Sequence, residues 1–183
     1  MKKAERRAID RVFILLGVAM TAALIVVGAL AWYGYSFATS MVRTELSAQN
    51  IYFPPAGSEA ISALDPADRE QVERFAGEQL TTGEQAKVYA NNFIGAHLRE
   101  IADGKTYAEI SNEAMANPDD KALQGKKAAL FQGETLRGML LGTGYAFWTF
   151  GMIAKYAALA AFAGAIFMAL LVLLGLRHLA RLK

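Results

Sequence analysis

Few residues of this sequence have side chains suited to catalysis or metal binding. The chain has 183 residues, no cysteine and two histidines, so it offers no thiolate nucleophile and no cysteine-ligated metal. His97 falls on a predicted apolar helix face beside Phe93 and Ile101, with no second histidine or cysteine nearby in the sequence. We predict a packed, hydrogen-bonded His97, with a pH-responsive contact as the functional alternative. No catalytic residue, metal site or cofactor is predicted.

The segment DGKT at 103–106 matches the last three residues, GKT, of the phosphate-binding loop motif. That motif requires a glycine five residues before its last glycine, and Arg99 stands there instead. We predict that a helix ends at Gly104 and that the next begins at Thr106, with Glu109 as the capping-box partner. Neither nucleotide binding nor nucleic-acid binding is predicted, because the basic residues form short clusters near the chain ends.

Two further pairs of charged residues have structural explanations. Asp119 and Asp120 are predicted in the first turn of a helix that starts near Pro118, where negative charge is favourable, and they lack the looped oxygen ligands that calcium needs. Glu134 and Arg137 are spaced i, i+3 and are expected to pair on a helix surface. Because they lie close to an apolar segment, we also predict them as partner contacts.

These residues lie between two long apolar segments. No charged residue occurs from Val12 to Trp32 or from Tyr156 to Leu176, and about 20 apolar residues form a helix long enough to cross a bilayer core. The central segment has helix-capping and proline signals and no alternating strand pattern. We therefore predict an all-α membrane protein, with two transmembrane helices and a helical extracytoplasmic domain inserted between them.

The charge distribution predicts the orientation. The first 11 residues carry five basic and two acidic groups, the last seven carry three basic groups, and residues 36–145 carry 15 acidic and 10 basic groups. Basic flanks stay in the cytoplasm, so we expect both termini on that side of the plasma (inner) membrane. A cleaved signal peptide is the less favoured alternative for the first segment, which is long and followed by bulky aromatic residues. The predicted parts are a cytoplasmic basic segment (1–11), transmembrane helix 1 (12–35), the extracytoplasmic domain (36–145), transmembrane helix 2 (146–176) and a cytoplasmic basic tail (177–183).

Aromatic residues are predicted to mark the outer membrane boundary. Trp32, Tyr33 and Tyr35 follow the first apolar segment, and Trp148 precedes the second. Lys155 stands next to the charge-free run, and we predict that it anchors the helix with its stem in hydrocarbon and its ammonium near the headgroups. A buried functional charge is the alternative.

Small residues recur on the second apolar segment and, more weakly, on the first. In lipid, such stripes let helices approach closely, so they predict either packing of the two helices on each other or further association with other chains. Because neither segment contains Asp, Glu, His, Asn or Gln, transport by a monomer is not favoured. The stripes are Ala157, Ala161, Gly164, Ala165 and Ala169 in the second segment, and Gly17, Thr21 and Gly28 in the first.

The two apolar helices are expected to extend beyond the membrane. The first is predicted to continue to about Gln49 and to end before two consecutive prolines. The last helix of the central domain contains no proline, which permits it to run into the second apolar segment, whereas its glycines disfavour a continuous helix. Both alternatives stay open. Ile51, Tyr52 and Phe53 form a conspicuously apolar stretch between helices, and we predict them as partner contacts.

Three stretches of the sequence resemble a family of two-pass membrane proteins from actinobacteria. They are NIYFPPAGS, YANNFIGAHLREIADGKTYAEIS and LFQGETLRGMLL, and the resemblance covers most of residues 40–160. It implies a location in the cell envelope. The family has no known activity, so the resemblance assigns no catalytic residue.

These observations predict a non-enzymatic integral membrane protein whose first partner is the lipid bilayer. We expect it to act as an accessory, assembly or scaffold subunit of a cell-envelope membrane complex, or as a homo-oligomer. The alternative is a small oligomeric channel or transport component lined by transmembrane helix 2.

Overall fold

The computed structural model describes residues 3–181, and this part of the chain is helical with no strand. A single isolated β-bridge joins Tyr52 and Gln79. Two of the helical segments contain α-helix interrupted by π-helical turns, which we label π1 and π2. The elements are α1 (Lys3–Ala48), α2 (Glu59–Ser62), α3 (Pro66–Glu73), α4 (Gly83–Val88), π1 (Tyr89–Ile94), α5 (Gly95–Ile101), α6 (Tyr107–Ala116), α7 (Lys121–Met139), π2 (Leu140–Ala146) and α8 (Phe147–Arg181).

Two helices are long and apolar enough to cross a membrane. One is α1, which ends one residue before the predicted end at Gln49. The other runs without a break from Lys121 to Arg181 through α7, π2 and α8, which settles a continuity that the sequence left open. The chain divides into two compact units. The helix-pair unit comprises residues up to 37 and from 150 onwards, and the central unit comprises Ala38–Thr149.

Glycines allow close packing of α1 on α8 within the helix-pair unit. A Cβ atom on Gly17 would lie 2.6 Å from Cγ2 of Val172, and one on Gly28 would lie 2.7 Å from Cε1 of Phe162. Larger residues at either position would therefore separate the helices. Thr21 lies on the same stripe and donates a hydrogen bond from Oγ1 to the carbonyl of Gly17 at 2.8 Å, which satisfies its hydroxyl. The interpretation that the two apolar helices pack on each other is confirmed.

The packed face of α8 differs from the predicted alanine stripe. Gly151, Ala158 and Ala165 are buried, whereas Ala157 is exposed, so Ala157 does not pack on α1. Its alternative assignment to a face that associates with another chain stays a prediction. A step of four residues turns by about 40° around an α-helix, whereas a step of seven turns by only about 20°. The seven-residue series therefore stays against α1. Of the other predicted members, Ala161, Gly164 and Ala169 are half-buried.

The central unit has two apolar clusters. In the larger one, Val42 and Leu46 of α1 pack with Phe53, Leu80 and other buried side chains. The smaller one joins α5, α6 and α7 through Leu98, Ala102, Ile110 and Leu130. Close packing extends to Gly133 of α7, where an added Cβ would collide with the side chain of Leu98.

Capping chemistry sets several helix ends, and those at Gly104 and Thr106 are as predicted. Thr82 with Gln85, and Thr106 with Glu109, form reciprocal capping boxes at the starts of α4 and α6. Helix α5 ends before a turn in which Gly104 has a left-handed φ of 79°, and its N–H donates to the carbonyl of Arg99 at 2.9 Å. The segment DGKT is therefore a helix stop followed by a helix cap.

The predicted start of α7 was wrong by about three residues. Asp120 is the N-cap, and its Oδ1 accepts a hydrogen bond from the N–H of Leu123 at 3.0 Å. Asp119 lies in the preceding turn and not in the first turn of the helix. The Asp120 carboxylate thus satisfies one of the free backbone donors in the first turn of α7.

Candidate functional surfaces

Arg137 of α7 forms hydrogen bonds with the π1 turn of the central unit. Its Nε donates to the carbonyl of Ala90 at 3.0 Å, and its Nη2 donates to Oδ1 of Asn91 at 3.2 Å. Its Nη1 pairs with both carboxylate oxygens of Glu134, at 2.8 and 2.9 Å. The predicted pairing of Glu134 and Arg137 is thus confirmed, and the guanidinium also donates two hydrogen bonds to residues of π1.

Gly95 makes room for this contact. An added Cβ at Gly95 would lie 3.3 Å from both the carbonyl oxygen of Ala90 and Nε of Arg137. The same carbonyl accepts the N–H of Gly95, which is the i, i+5 bond of a π-turn. The carbonyl of Ala90 therefore receives two donors, one from its own helix and one from α7.

The π1 turn shifts the buried face of the following helix by one residue. A regular α-helix that buries Ala86 and Ala90 would go on to bury His97 and Ile101. Leu98 and Ala102 are buried instead, and Ile101 is exposed. The extra residue in the turn accounts for the change of register.

His97 is consequently half-buried at the margin of the core. Its Nδ1 lies 2.8 Å from the carbonyl oxygen of Phe93, and its ring centroid lies 4.7 Å from that of Phe93. It also lines a cleft of about 390 Å³ with Asp65 and Glu100. The predicted hydrogen bond is present, whereas the imidazole is only half-buried and does not lie on the buried face. The pH-responsive contact stays an untested alternative.

The histidine ends a chain of aromatic contacts that passes through the core. Tyr89 lies at its centre, with ring centroids 5.2 Å from Phe53 and 5.0 Å from Phe93. Burial raises the pKa of the Tyr89 phenol, so this ring stays neutral. Phe53 is 2% exposed, which corrects its prediction as a partner contact, because an apolar side chain that fills the core is not available to another chain.

The two residues beside Phe53 remain closer to the surface. Ile51 is half-buried and Tyr52 is exposed. Backbone hydrogen bonds fix the stretch, since Phe53 N–H donates to the carbonyl of Glu78 and Leu80 N–H donates to that of Ile51, both at 2.9 Å. Of the three predicted contacts, Tyr52 alone presents a large surface.

A second polar network connects α3 with the π1–α5 segment. Asp68 accepts a hydrogen bond from Nδ2 of Asn92 at 2.8 Å and forms an ion pair with Arg99. This carboxylate is largely buried, whereas the Arg99 side chain is about half exposed. Both Asp68 oxygens thus have partners, and the network orders the segment around π1.

Exposed ion pairs order the turn between α5 and α6. A hydrogen bond from Lys126 lowers the pKa of Asp103, and the backbone N–H of Thr106 lowers the pKa of Glu109. Lys105 pairs with Glu113 at 2.6 Å, which raises the lysine pKa. These shifts arise from local pairing at the surface.

An apolar groove of about 200 Å³ lies between the C-terminal part of α1 and π2 in the central unit. Met41 and Phe147 contribute apolar side chains to it, and Gly142 leaves one wall open, since nothing lies within 4 Å of an added Cβ there. Glu45 is an exposed acidic group at the lining. Sequence periodicity did not reveal this groove, because its two walls are about 100 residues apart in the chain.

Lys155 contacts an aromatic residue of the other helix in the helix-pair unit. Its Nζ lies 5.4 Å from the ring centroid of Tyr35, within cation–π distance. Tyr35 packs edge-on against Trp32 at 5.3 Å, and Tyr33 stacks on Phe37 at 6.4 Å. The structure thus brings three of the predicted membrane anchors together. Trp148 belongs to the central unit, where its side chain would collide with a Cβ added to Gly83.

No constellation of three or more His, Asp or Glu side chains suitable for a metal ion occurs within residues 3–181. Comparisons with protein-family models, with curated proteins and with solved structures found no match.

Proposed function

We propose that this chain is a non-enzymatic integral membrane protein that acts as an accessory, assembly or scaffold subunit of a cell-envelope membrane complex. In this proposal α1 and α8 cross the plasma membrane, both termini are cytoplasmic and the central unit is extracytoplasmic. The observation that carries it is the distribution of residues in the helix-pair unit, where small residues face inward and large apolar ones face outward.

The outward side chains are among the most exposed in the chain. Leu15 is 69% exposed, Leu30 is 67% exposed and Ile166 is 65% exposed. Leaving apolar surface in water costs about 25 cal/mol per Å², so such faces need a lipid or protein environment. The charge-free lengths and the basic flanks support a bilayer as that environment.

Membrane insertion and orientation are testable because the chain has no cysteine. Single cysteines at exposed Ala128 of the central unit and exposed Ala180 of the C-terminal end would be labelled with a membrane-impermeant maleimide. We expect labelling of Ala128→Cys in intact cells and of Ala180→Cys only after permeabilisation. The reverse pattern would refute the orientation, and release of the chain by alkaline carbonate would refute insertion.

The scaffold role is supported by how the central unit uses its polar groups. Arg137, Glu134 and Asp68 are engaged in contacts that hold helices together. The groove beside π2, by contrast, is apolar and open, with the size for one or two side chains of a partner.

Site-specific crosslinking tests the partner directly. A photoreactive amino acid at Gly142 lies in the groove, whereas one at exposed Gly125 of α7 provides a control, because nothing surrounds either position within 4 Å. We expect a discrete crosslinked band from position 142 in native membranes and none from position 125. Equal crosslinking at both sites, or a monomer alone after mild solubilisation, would contradict the scaffold proposal.

A further inference from the structure

The outward face of α7 in the central unit exposes apolar side chains almost without charge. Phe131 and Met139 are each 58% exposed, and the other exposed residues from position 128 to position 139 are uncharged apart from Glu134. That carboxylate pairs with Arg137 of the same helix. A helix that faces only water normally carries charged residues on its outer side, so this face is suited to contact with another surface.

Large side chains and open backbone lie next to each other on this face. Gly138 precedes Met139, and nothing lies within 4 Å of a Cβ added to Gly138, so its backbone is open to a neighbour. Thr135 lies between Phe131 and Gly138 along the helix. It donates its hydroxyl to the carbonyl of Phe131 at 2.7 Å, so a covering surface would leave no unpaired donor there.

Helical geometry places these residues on the two sides of a line through Thr135. At about 100° per residue, Phe131 and Gly138 lie about 40° and 60° to one side of that line. Met139 and Gln132 lie about 40° and 60° to the other side. The face therefore has a residue of one side next in sequence to a residue of the other side, once at positions 131 and 132 and again at positions 138 and 139.

We propose that this face of α7 binds the same face of a second copy of the chain in a parallel two-fold pair. In such a pair, each side of the line through Thr135 faces the opposite side of the other copy. Met139 of each copy then covers Gly138 of the other, and Phe131 packs on the side chain of Gln132. The face thus has the self-complementary shape that a two-fold interface requires.

The distribution of charge on α7 fits the same arrangement. Lys127 and Glu134 lie on the Phe131 side of the line, whereas the other side presents Gln132 and Met139. A parallel two-fold pair places the charged side of one copy against the uncharged side of the other. No two like charges are therefore brought face to face.

The parallel direction rests on the proposed function, because it follows from insertion of both copies in one membrane. Helix α7 continues without a break into α8, and copies with one topology have α8 in the same direction. Confinement to a membrane raises the effective concentration of the two copies, so a contact of a few helical turns suffices. The helices cross near Gly138 and diverge towards Ala128, about 15 Å along the axis, which keeps position 128 accessible to labelling.

Disulfide crosslinking in native membranes tests the pair, because the chain has no cysteine. A cysteine in Thr135→Cys lies next to the two-fold axis, where the two Cα atoms can approach to the roughly 4–7 Å that a disulfide spans. Leu136→Cys is the matched control, since Leu136 is also exposed but lies about 100° further around the helix. After oxidation with copper phenanthroline, we expect several-fold more product of twice the chain mass from Thr135→Cys than from Leu136→Cys.

Gly138→Leu tests the packing of the pair. A Cβ at this position meets nothing within 4 Å in its own chain, so the fold should be kept, whereas the larger side chain would hold the two helices apart. Combined with Thr135→Cys, it should reduce the crosslinked product several-fold. Gly125→Leu is equally open and lies more than three turns away, so it should leave the product unchanged.

The outcomes separate this inference from the scaffold proposal. No product from Thr135→Cys, equal product from Thr135→Cys and Leu136→Cys, or product that Gly138→Leu does not reduce would overturn the pair. Any of these results together with a crosslink from position 142 to a different protein leaves the scaffold proposal intact. Release of the chain by alkaline carbonate would overturn membrane insertion and with it the parallel pair.

Discussion

Replacing Arg137 by methionine should destabilise the central unit and loosen the π1 turn. Methionine keeps the length of the side chain and a similar helix propensity, so the substitution removes mainly the guanidinium. The variant loses the bonds to Ala90 and Asn91 and the ion pair with Glu134. The carbonyl of Ala90 keeps its bond from the N–H of Gly95, which limits the damage.

The expected loss follows from the exposure of each contact. The Arg137 side chain is 24% exposed, and a hydrogen bond from a charged donor at a partly buried site contributes about 1.5 kcal/mol. The Glu134 side chain is 43% exposed, so we assign the ion pair only about 0.5 kcal/mol. With two such hydrogen bonds, to Ala90 and to Asn91, the free energy of unfolding should fall by about 3.5 kcal/mol in all.

Lys126→Met provides a matched control on the same helix. Lys126 pairs with Asp103 at 2.5 Å, and both side chains are considerably exposed, so its loss should lie within the error of the measurement. Denaturation of the full chain in detergent micelles gives both free energies. Hydrogen exchange should show faster exchange at residues 89–95 in Arg137→Met alone. Equal destabilisation by the two variants, or unchanged exchange at π1, would refute the assignment of Arg137 as the contact that holds this turn.

Three further predictions use single substitutions. In α7, Gly133→Ala should lower the free energy of unfolding by about 1–3 kcal/mol, because the side chain of Leu98 occupies the space. Gly125→Ala should instead raise it by about 0.5–1 kcal/mol, because its surroundings are open. Denaturant titration measures both changes, and the same sign for both would contradict the packing argument. Glu109 has a pKa lowered by its bond from Thr106, so its stabilising effect is present above the unfolded pKa of about 4 and is lost as pH falls through the folded pKa. The thermal midpoint should therefore drop less steeply on acidification in Glu109→Gln, and identical pH profiles would show that the bond is not linked to stability. Lys155→Leu should leave both membrane insertion and crosslinking from the groove unchanged, and loss of either would favour a functional charge.

Local signals predicted those parts of the fold that depend on neighbours in sequence. The capping boxes at Thr82 and Thr106 were predictable because the side chain and the backbone donor it satisfies are three residues apart. The stop at Gly104 was predictable because a left-handed backbone strongly favours glycine. The two long apolar helices were predictable from composition alone. In each case the cause lies within a few turns of the chain.

The register of α5 was not predictable by the same means. Arg137, which is about 47 residues away in the chain, donates a hydrogen bond to a carbonyl of the π1 turn, and periodicity within the segment carries no sign of such a contact. A periodicity of 3.6 residues continued through that turn places His97 and Ile101 on the buried face, whereas the structure buries Leu98 and Ala102. The burial of Phe53 was also missed, because Phe75 and Tyr89, whose rings pack against it, lie more than 20 residues away in the sequence.

The position of Lys155 links helix packing to the proposed membrane boundary. A lysine beside a charge-free run has two ways to avoid an unpaired charge in hydrocarbon: it extends towards water, or it finds a partner within the protein. Here Nζ of Lys155 lies over the ring of Tyr35 on α1. The aromatic face of Tyr35 therefore attracts the ammonium group in place of a carboxylate. Gly34, next to Tyr35, lies close to α8, since a Cβ there would be 4.0 Å from that of Ala154. The lysine thus contacts the same interface at which the inward-facing glycines and alanines let the helices approach, and helix pairing accounts for its position.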